Sequence, residues 1–119
     1  MKNVDCLESD WKLFRKMVPQ WQEAFMGKLV EEYKEILDSD GLASEKFWAL
    51  EKRVNGDKRS PGVLIDMRRS RMKNNLLNLL LWDAIKLSDL EGFSPELQET
   101  MASCMKGMEA YLKDDEIEE

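Results

Sequence analysis

The chain of 119 residues has a formal net charge of −6, with 43% hydrophobic and 35% charged residues, a composition typical of one folded domain. It contains no histidine, so the commonest general base of enzymes and a principal zinc ligand are missing. Hydrolase triads and zinc sites are therefore excluded, and no glycine-rich phosphate-binding motif occurs, so we expect no catalytic, cofactor or metal site.

The apolar segments are short. The longest of them, residues 76–82, is far below the ~20 residues that a membrane-spanning helix needs. Residues 1–5 lack the apolar core and cleavage site of a signal peptide, so we expect a cytoplasmic protein that does not engage a membrane. Cys6 and Cys104 are too few for a disulfide framework, and we expect both to be reduced structural residues.

The first half of the chain predicts three helices, because β-branched residues are sparse and apolar residues recur at intervals of three and four. The first helix should begin near Ser9 and be interrupted at Pro19, and the second should run from Pro19 to Asp38. The third should begin near Ser44 and end at Asn55-Gly56, a C-terminal signal. Its apolar residues are Phe47, Trp48, Leu50 and Val54.

A long fourth helix is predicted to follow. Ser60 and Pro61 suit the N-cap and the first helical position, and the apolar pattern continues to about Ile85. Apolar residues lie on two opposite sides of this helix, which places it at the centre of the fold. We therefore predict an all-α, compact bundle of about five helices with the helix that starts near Pro61 in the middle.

The final third predicts one short turn and a last helix. Residues 88–91 have the spacing of a capping box, and Ser94-Pro95 should open the last helix. Its apolar stripe faces the core, a homodimer interface or, through its adaptable methionines, a binding partner. The stripe comprises Leu97, Met101, Cys104, Met105, Met108 and Leu112. We assign residues 1–113 to a single helical domain and residues 114–119 to an acidic tail.

A basic segment stands out against the acidic chain. Between Lys52 and Lys73 there are eight basic and two acidic residues. The candidate partner-binding or anion-binding residues are Lys58, Arg59, Arg68, Arg69, Arg71 and Lys73. Guanidinium groups match phosphate and carboxylate geometry, which favours a binding site. The alternative is that these residues flank a helix, cover apolar surface with their stems and pair with neighbouring acids.

Four short stretches between Phe47 and Met101 also carry a family resemblance: FWALEKR (47–53), DKRSPGV (57–63), RS (69–70) and DLEGFS (89–94). In these stretches the chain resembles small uncharacterised helical proteins of Gram-positive bacteria and their phages and mobile elements. The resemblance implies a bacterial or phage cytosolic setting and a compact helical fold. It assigns no site residues.

Three functions remain open at this point. The first is a non-enzymatic protein that binds a macromolecular partner stoichiometrically, such as a phage-type inhibitor or regulator of host nucleic-acid machinery, an anti-CRISPR or other anti-defence protein. Its acidic surface would occupy a basic nucleic-acid channel. The second is a nucleic-acid-binding helical module that uses the basic residues 58–73. The third is a structural or assembly protein that dimerises through the methionine stripe of the last helix.

Overall fold

The computed structural model describes residues 7–118, with side chains to Glu109. The described residues form four α-helices and two 3-10 helices and contain no strand. The α-helices are α1 (Glu8–Asp38), α2 (Ala43–Asp57), α3 (Met72–Leu81) and α4 (Pro95–Glu118), and the 3-10 helices are Arg69–Arg71 and Leu87–Leu90. The all-α prediction is confirmed, with four α-helices in place of about five.

Helix α1 continues through Pro19, so the predicted break at this residue is wrong. Proline removes one backbone hydrogen bond from a helix and typically costs about 3 kcal/mol. Phe14, Val18 and Trp21 lie on one face of α1 on both sides of the proline, and all three are buried in the core. Because burial of a large apolar side chain contributes about 1.5–3 kcal/mol, these three together outweigh the cost of Pro19.

Residues 58–68, which follow α2, are not helical. The predicted long helix from Pro61 to Ile85 is therefore also wrong. Ser60 Oγ accepts a hydrogen bond from the Gly62 amide at 3.0 Å, which closes a local turn in competition with a helix. The carbonyl of Pro61 accepts a hydrogen bond from Gln22 Nε2 at 3.1 Å. The first contact closes the turn, and the second holds residues 60–62 against α1.

Gly62 explains why this turn fits so closely against α1. A Cβ atom at this position would lie 2.3 Å from the ring of Phe25, so only glycine allows the observed approach. The chain then runs without helix to Arg68 and enters α3 only at Met72. The central helix is therefore much shorter than predicted and begins eleven residues after Pro61.

Helix α3 supplies the middle of the hydrophobic core. Half of its ten residues are buried. The core cluster consists of Phe14, Val18, Trp21, Met72, Leu76, Leu79, Leu80, Ile85, Leu90, Phe93, Leu97 and Met101. The cluster joins the first half of α1 to α3, the second 3-10 helix and the start of α4. Met101 of the methionine stripe is in the core, and Met105 packs against it.

The start of α4 is tied to the start of α1. The buried carboxylate of Asp10 accepts hydrogen bonds from the Ser94 amide at 2.8 Å and from Ser94 Oγ at 2.6 Å. Ser94 Oγ in turn accepts a hydrogen bond from the Leu97 amide at 3.3 Å, so Ser94 caps the N-terminus of α4, the helix that Ser94-Pro95 was predicted to open. The negative charge of Asp10 lies at the N-terminus of α4, where it is favourable. Its hydrogen bonds to Ser94 hold the start of α4 beside the start of α1.

The second 3-10 helix and the end of α4 also differ in detail from the sequence prediction. The single turn predicted at residues 88–91 is present as Leu87–Leu90, with Lys86 as the N-cap residue, whose amide donates a hydrogen bond to the Asp89 carboxylate at 2.8 Å. Helix α4 continues to Glu118, past residue 113, where we predicted the domain to give way to an acidic tail. Cys6 lies outside the described residues, and the side chains of Leu112 and of the tail lie beyond the last described side chain, Glu109.

The second half of α1 and all of α2 form a helical hairpin outside the core. Helix α2 buries none of its residues and packs chiefly against α1. The radius of gyration is 17.5 Å, against about 13–14 Å for a compact domain of this length, and the longest dimension is 59 Å. We call this unit, with the two residues that follow α2, the α1–α2 hairpin (residues 26–59). Within the described residues no helix is long and apolar enough to cross a membrane.

Candidate partner-binding surface

The six predicted basic residues lie in four places along the chain, and all are exposed. Lys58 and Arg59 follow α2, Arg68 ends the extended segment, Arg69 and Arg71 belong to the first 3-10 helix, and Lys73 is in the first turn of α3. The structure therefore spreads them over the surface between α2 and α3. The sequence placed Lys58 and Arg59 in a loop, as observed, but it placed the other four residues on one long helix, which the structure does not contain.

Two of the arginines share the carboxylate of Asp66. Arg68 Nε donates to both Asp66 oxygens, at 3.1 and 2.9 Å, and Arg68 Nη2 lies 2.5 Å from Oδ2. Arg71 Nε is 4.0 Å from the same oxygen. These contacts lower the pKa of Asp66, first through the side-chain hydrogen bonds of Arg68 and then through its backbone amide. Asp66 thus carries a negative charge inside the predicted basic cluster.

Arg69 forms an ion pair with Glu8, the first residue of α1. The two residues are 61 positions apart, so this pair is a tertiary contact. Three of the four cations between Arg68 and Lys73 consequently have carboxylate partners within the chain. Pairing with neighbouring acids, which the sequence left as an alternative, is present in this half of the basic segment.

Lys58 and Arg59 have a different environment. Neither residue has an ion pair with any residue that the structure describes. Together with Asn55 and Leu64 they line an open depression of about 600 Å³. Leu64 is 66% exposed, so an apolar side chain lies beside the two cations. This end of the α1–α2 hairpin presents uncompensated positive charge.

A polar network fixes α2 against α1 just before Lys58. The Tyr33 hydroxyl donates a hydrogen bond to Asp57 Oδ2 at 2.6 Å. Arg53 Nη2 donates to Glu32 at 2.6 Å and lies 3.5 Å from Asp57, and its guanidinium stacks over the Tyr33 ring at 5.7 Å. The network joins residues of both helices, so it holds the end of α2, next to Lys58 and Arg59, against α1.

The pH dependence of this network follows from Tyr33. Burial, followed by the hydrogen bond to Asp57, raises the pKa of Tyr33 to about 12, against about 10 in an unfolded chain. The raised pKa favours the protonated phenol in the folded state, so this contribution to stability is complete below pH ~10 and is lost as the pH rises towards ~12. We expect Tyr33→Phe to lose stability less steeply than the wild type across this interval.

This expectation is checked by chemical denaturation of both proteins at several pH values between ~9 and ~12, with phenolate absorbance followed in parallel. The wild-type absorbance should contain a component with the raised pKa that Tyr33→Phe lacks. Ionisation of every tyrosine near pH 10 in the folded protein would contradict it.

The α2 aromatic pair, Phe47 and Trp48, is a feature that sequence reasoning did not single out as a binding site. The two side chains are 62% and 63% exposed, and their rings meet edge to face at 4.9 Å. A signal was present, because neighbouring residues on a helix point about 100° apart. Trp48 therefore cannot share the stripe that Phe47 forms with Leu50 and Val54, and it must face outward.

Comparisons with protein-family models, with curated proteins and with solved structures gave no match. The surface must therefore be interpreted from its own chemistry. Within the described part of the chain no three potential metal-ligating side chains cluster. What the α1–α2 hairpin does present is an exposed aromatic pair, a cationic end and a surface held in place by ion pairs and a tyrosine hydrogen bond. Such a combination suits molecular recognition.

Proposed function

We propose that this protein acts without catalysis, by stoichiometric binding of a macromolecular partner through the α1–α2 hairpin. One observation carries the proposal: α2 buries none of its residues and exposes both members of the α2 aromatic pair. Aromatic side chains are enriched in protein interfaces, and contiguous apolar exposure of this kind marks interaction sites. Since both aromatic side chains are exposed and α2 adds no buried residue to the core, the α2 aromatic pair is available for a partner.

The free energy expected from covering one of these aromatic rings supports the same interpretation. A buried aromatic residue removes roughly 150–250 Å² from water, so the exposed majority of each ring represents roughly 100–150 Å². At about 25 cal/mol per Å², covering one ring contributes about 3 kcal/mol. That is the magnitude of an interface residue on which affinity depends strongly.

The specific form of the proposal is an inhibitor or regulator of host nucleic-acid machinery, such as an anti-CRISPR or other anti-defence protein, in keeping with the mobile-element resemblance. An acidic row on α1 supports it: Glu31, Glu35 and Asp38 recur at helical spacing and are exposed, with Glu31 in an exposed ion pair with Lys34 at 3.6 Å. A row of carboxylates is complementary to a basic nucleic-acid channel. Neutralising these three residues should weaken binding and reduce its salt dependence.

A protein partner is favoured over direct nucleic-acid binding. Phosphate binding needs cations that are free to replace counterions. Arg68 and Arg71 share Asp66, and Arg69 is paired with Glu8, so much of the predicted cluster already has carboxylates nearby. Those carboxylates would also repel phosphate groups.

Trp48→Ala tests the proposal, with Trp82→Ala as the matched control. Trp82 is also a half-exposed tryptophan, but it follows α3 and lies outside the hairpin. We expect Trp48→Ala to weaken partner binding by about 2–3 kcal/mol, roughly 30-fold or more, with stability changed by less than about 0.5 kcal/mol. Trp82→Ala should retain the wild-type affinity.

The measurement is an affinity pull-down of tagged protein from nuclease-treated bacterial lysate, followed by titration of the captured partner. Stoichiometric capture that Trp48→Ala abolishes and Trp82→Ala preserves is the expected result. Capture of nucleic acid alone, which disappears with nuclease, would contradict the proposal. Undiminished binding by Trp48→Ala would remove the α2 aromatic pair from the interface.

A further inference from the structure

An apolar pocket lies between the two helices of the hairpin, close to its cationic end. Its volume is about 190 Å³, and its walls are formed by Met26, Leu29, Val30, Tyr33, Val54 and Val63. Asp57 also lines it, but that carboxylate is engaged by the Tyr33 hydroxyl and by Arg53. The interior is therefore apolar, and its one acidic group is already satisfied.

The volume decides what kind of group the pocket can hold. Sites for cofactors and drug-sized molecules usually measure about 300–1,000 Å³, which is well above this volume. An apolar cavity of about 150 Å³ is enough to hold benzene. The pocket thus matches a single bulky side chain, such as that of phenylalanine or leucine. It is too small for a cofactor or a drug-sized molecule.

The charge at the rim decides what should surround that side chain. Lys58 lines both this pocket and the adjoining depression, which Arg59 also lines. Both residues are exposed and have no ion pair among the residues that the structure describes. Carboxylates beside the inserted side chain would meet these two cations, and basic residues there would be repelled.

We infer that this pocket binds one bulky apolar side chain of an acidic segment of the partner protein, with the flanking carboxylates of that segment on Lys58 and Arg59. The inference rests on the proposed function and names the chemistry of the partner. A nucleic acid fits less well, because bases are recognised through hydrogen bonds or by stacking on open aromatic faces. The pocket walls are aliphatic apart from Tyr33.

Short blocked peptides test the inference directly on the full chain. The probe is Glu-Glu-Phe-Glu-Glu, and its two controls are Glu-Glu-Ala-Glu-Glu and Lys-Lys-Phe-Lys-Lys, titrated by two-dimensional amide NMR. We expect the probe to shift amides of residues 26–33 and 54–63 and to bind at least ~10-fold more tightly than either control. Equal binding of either control, shifts confined to another surface, or no shift at millimolar peptide would overturn the inference.

Three variants locate the binding. Val30 is 52% exposed on a helix, so Val30→Trp can cover the pocket without disturbing the core. The double variant Lys58→Glu/Arg59→Glu reverses the rim charge, and Lys12→Glu/Lys16→Glu makes the same change of net charge at exposed positions on the first half of α1. The first two should weaken the probe by ~10-fold or more, and the last should leave it within about two-fold.

The same variants separate this inference from the proposed function. If the captured partner binds Val30→Trp and Lys58→Glu/Arg59→Glu as tightly as the wild type, the inference fails while stoichiometric binding stands. If the lysate yields no stoichiometric protein partner, the proposed function fails, whatever the peptides do. Competition with the probe by oligothymidylate, or loss of probe binding through self-association, would assign the pocket to nucleic acid or to a second copy and overturn the inference.

Discussion

Replacement of Asp10 with alanine is expected to lower the free energy of unfolding by about 2–3 kcal/mol. The carboxylate is only 4% exposed and accepts two hydrogen bonds from Ser94. A hydrogen bond to a charged group contributes about 1.5–3 kcal/mol, and its removal here leaves the Ser94 amide in a part-buried position without its acceptor. The effect should exceed that of an ordinary surface substitution several-fold because Asp10 joins α1 to the first turn of α4.

Chemical denaturation and thermal unfolding measure this effect, with a fall in the melting temperature of about 10 °C expected for a domain of this size. Ser94→Ala and the double variant complete a cycle whose coupling free energy should be about 1–2 kcal/mol. Ser9→Ala, at the exposed neighbouring position, is the control and should change stability by less than about 0.5 kcal/mol. Strict additivity of Asp10→Ala and Ser94→Ala would show that the two residues are not coupled.

Substitution of Gly62 with alanine should destabilise the protein by about 1–3 kcal/mol, the usual range for overpacking. The added Cβ would lie 2.3 Å from Phe25 Cδ2, well inside any van der Waals contact. Either the ring or the turn at residues 60–62 must move. Movement of the turn would disturb the hydrogen bond between Gln22 and the Pro61 carbonyl, and with it the position of the segment that follows Lys58 and Arg59.

Gly27 provides a control of opposite sign for this prediction. It lies inside α1, and a Cβ there would meet nothing within 4 Å. Gly27→Ala should therefore raise the free energy of unfolding by about 0.5–1 kcal/mol, because alanine loses less backbone entropy in a helix. If Gly62→Ala were stabilising like Gly27→Ala, the close approach of the turn to Phe25 would be refuted.

Local patterns in the sequence were sufficient for the elements whose signals lie within a few residues. Helix α2, the single turn near Asp89 and the start of α4 at Ser94-Pro95 follow from capping residues and apolar spacing, and the structure contains all of them. Pro19 is the instructive exception. Its local effect favours a break, whereas the burial of Phe14, Val18 and Trp21 in one core keeps the helix continuous.

The candidate surface was also predictable only in part, because some of its contacts join residues that are far apart in the sequence. The density of positive charge in the sequence indicated Lys58 and Arg59. The pair between Arg68 and Asp66 joins residues two positions apart, so the local sequence also indicates it. The ion pair between Arg69 and Glu8 spans 61 residues and depends on how α1 packs beside the loop. The pocket between the helices of the hairpin likewise brings together residues as distant as Met26 and Val63.

The sequence by itself determined that this chain is helical, that it lacks the histidine chemistry of common enzymes and that its positive charge is concentrated between Lys52 and Lys73. Only the tertiary structure decided that Pro19 does not end α1, that residues 60–68 are not helical, and that Phe47 stays exposed beside Trp48. The physical reason is the range of the forces involved. Helical periodicity and capping act over three or four residues, whereas burial of a side chain depends on contacts with segments far away in the sequence.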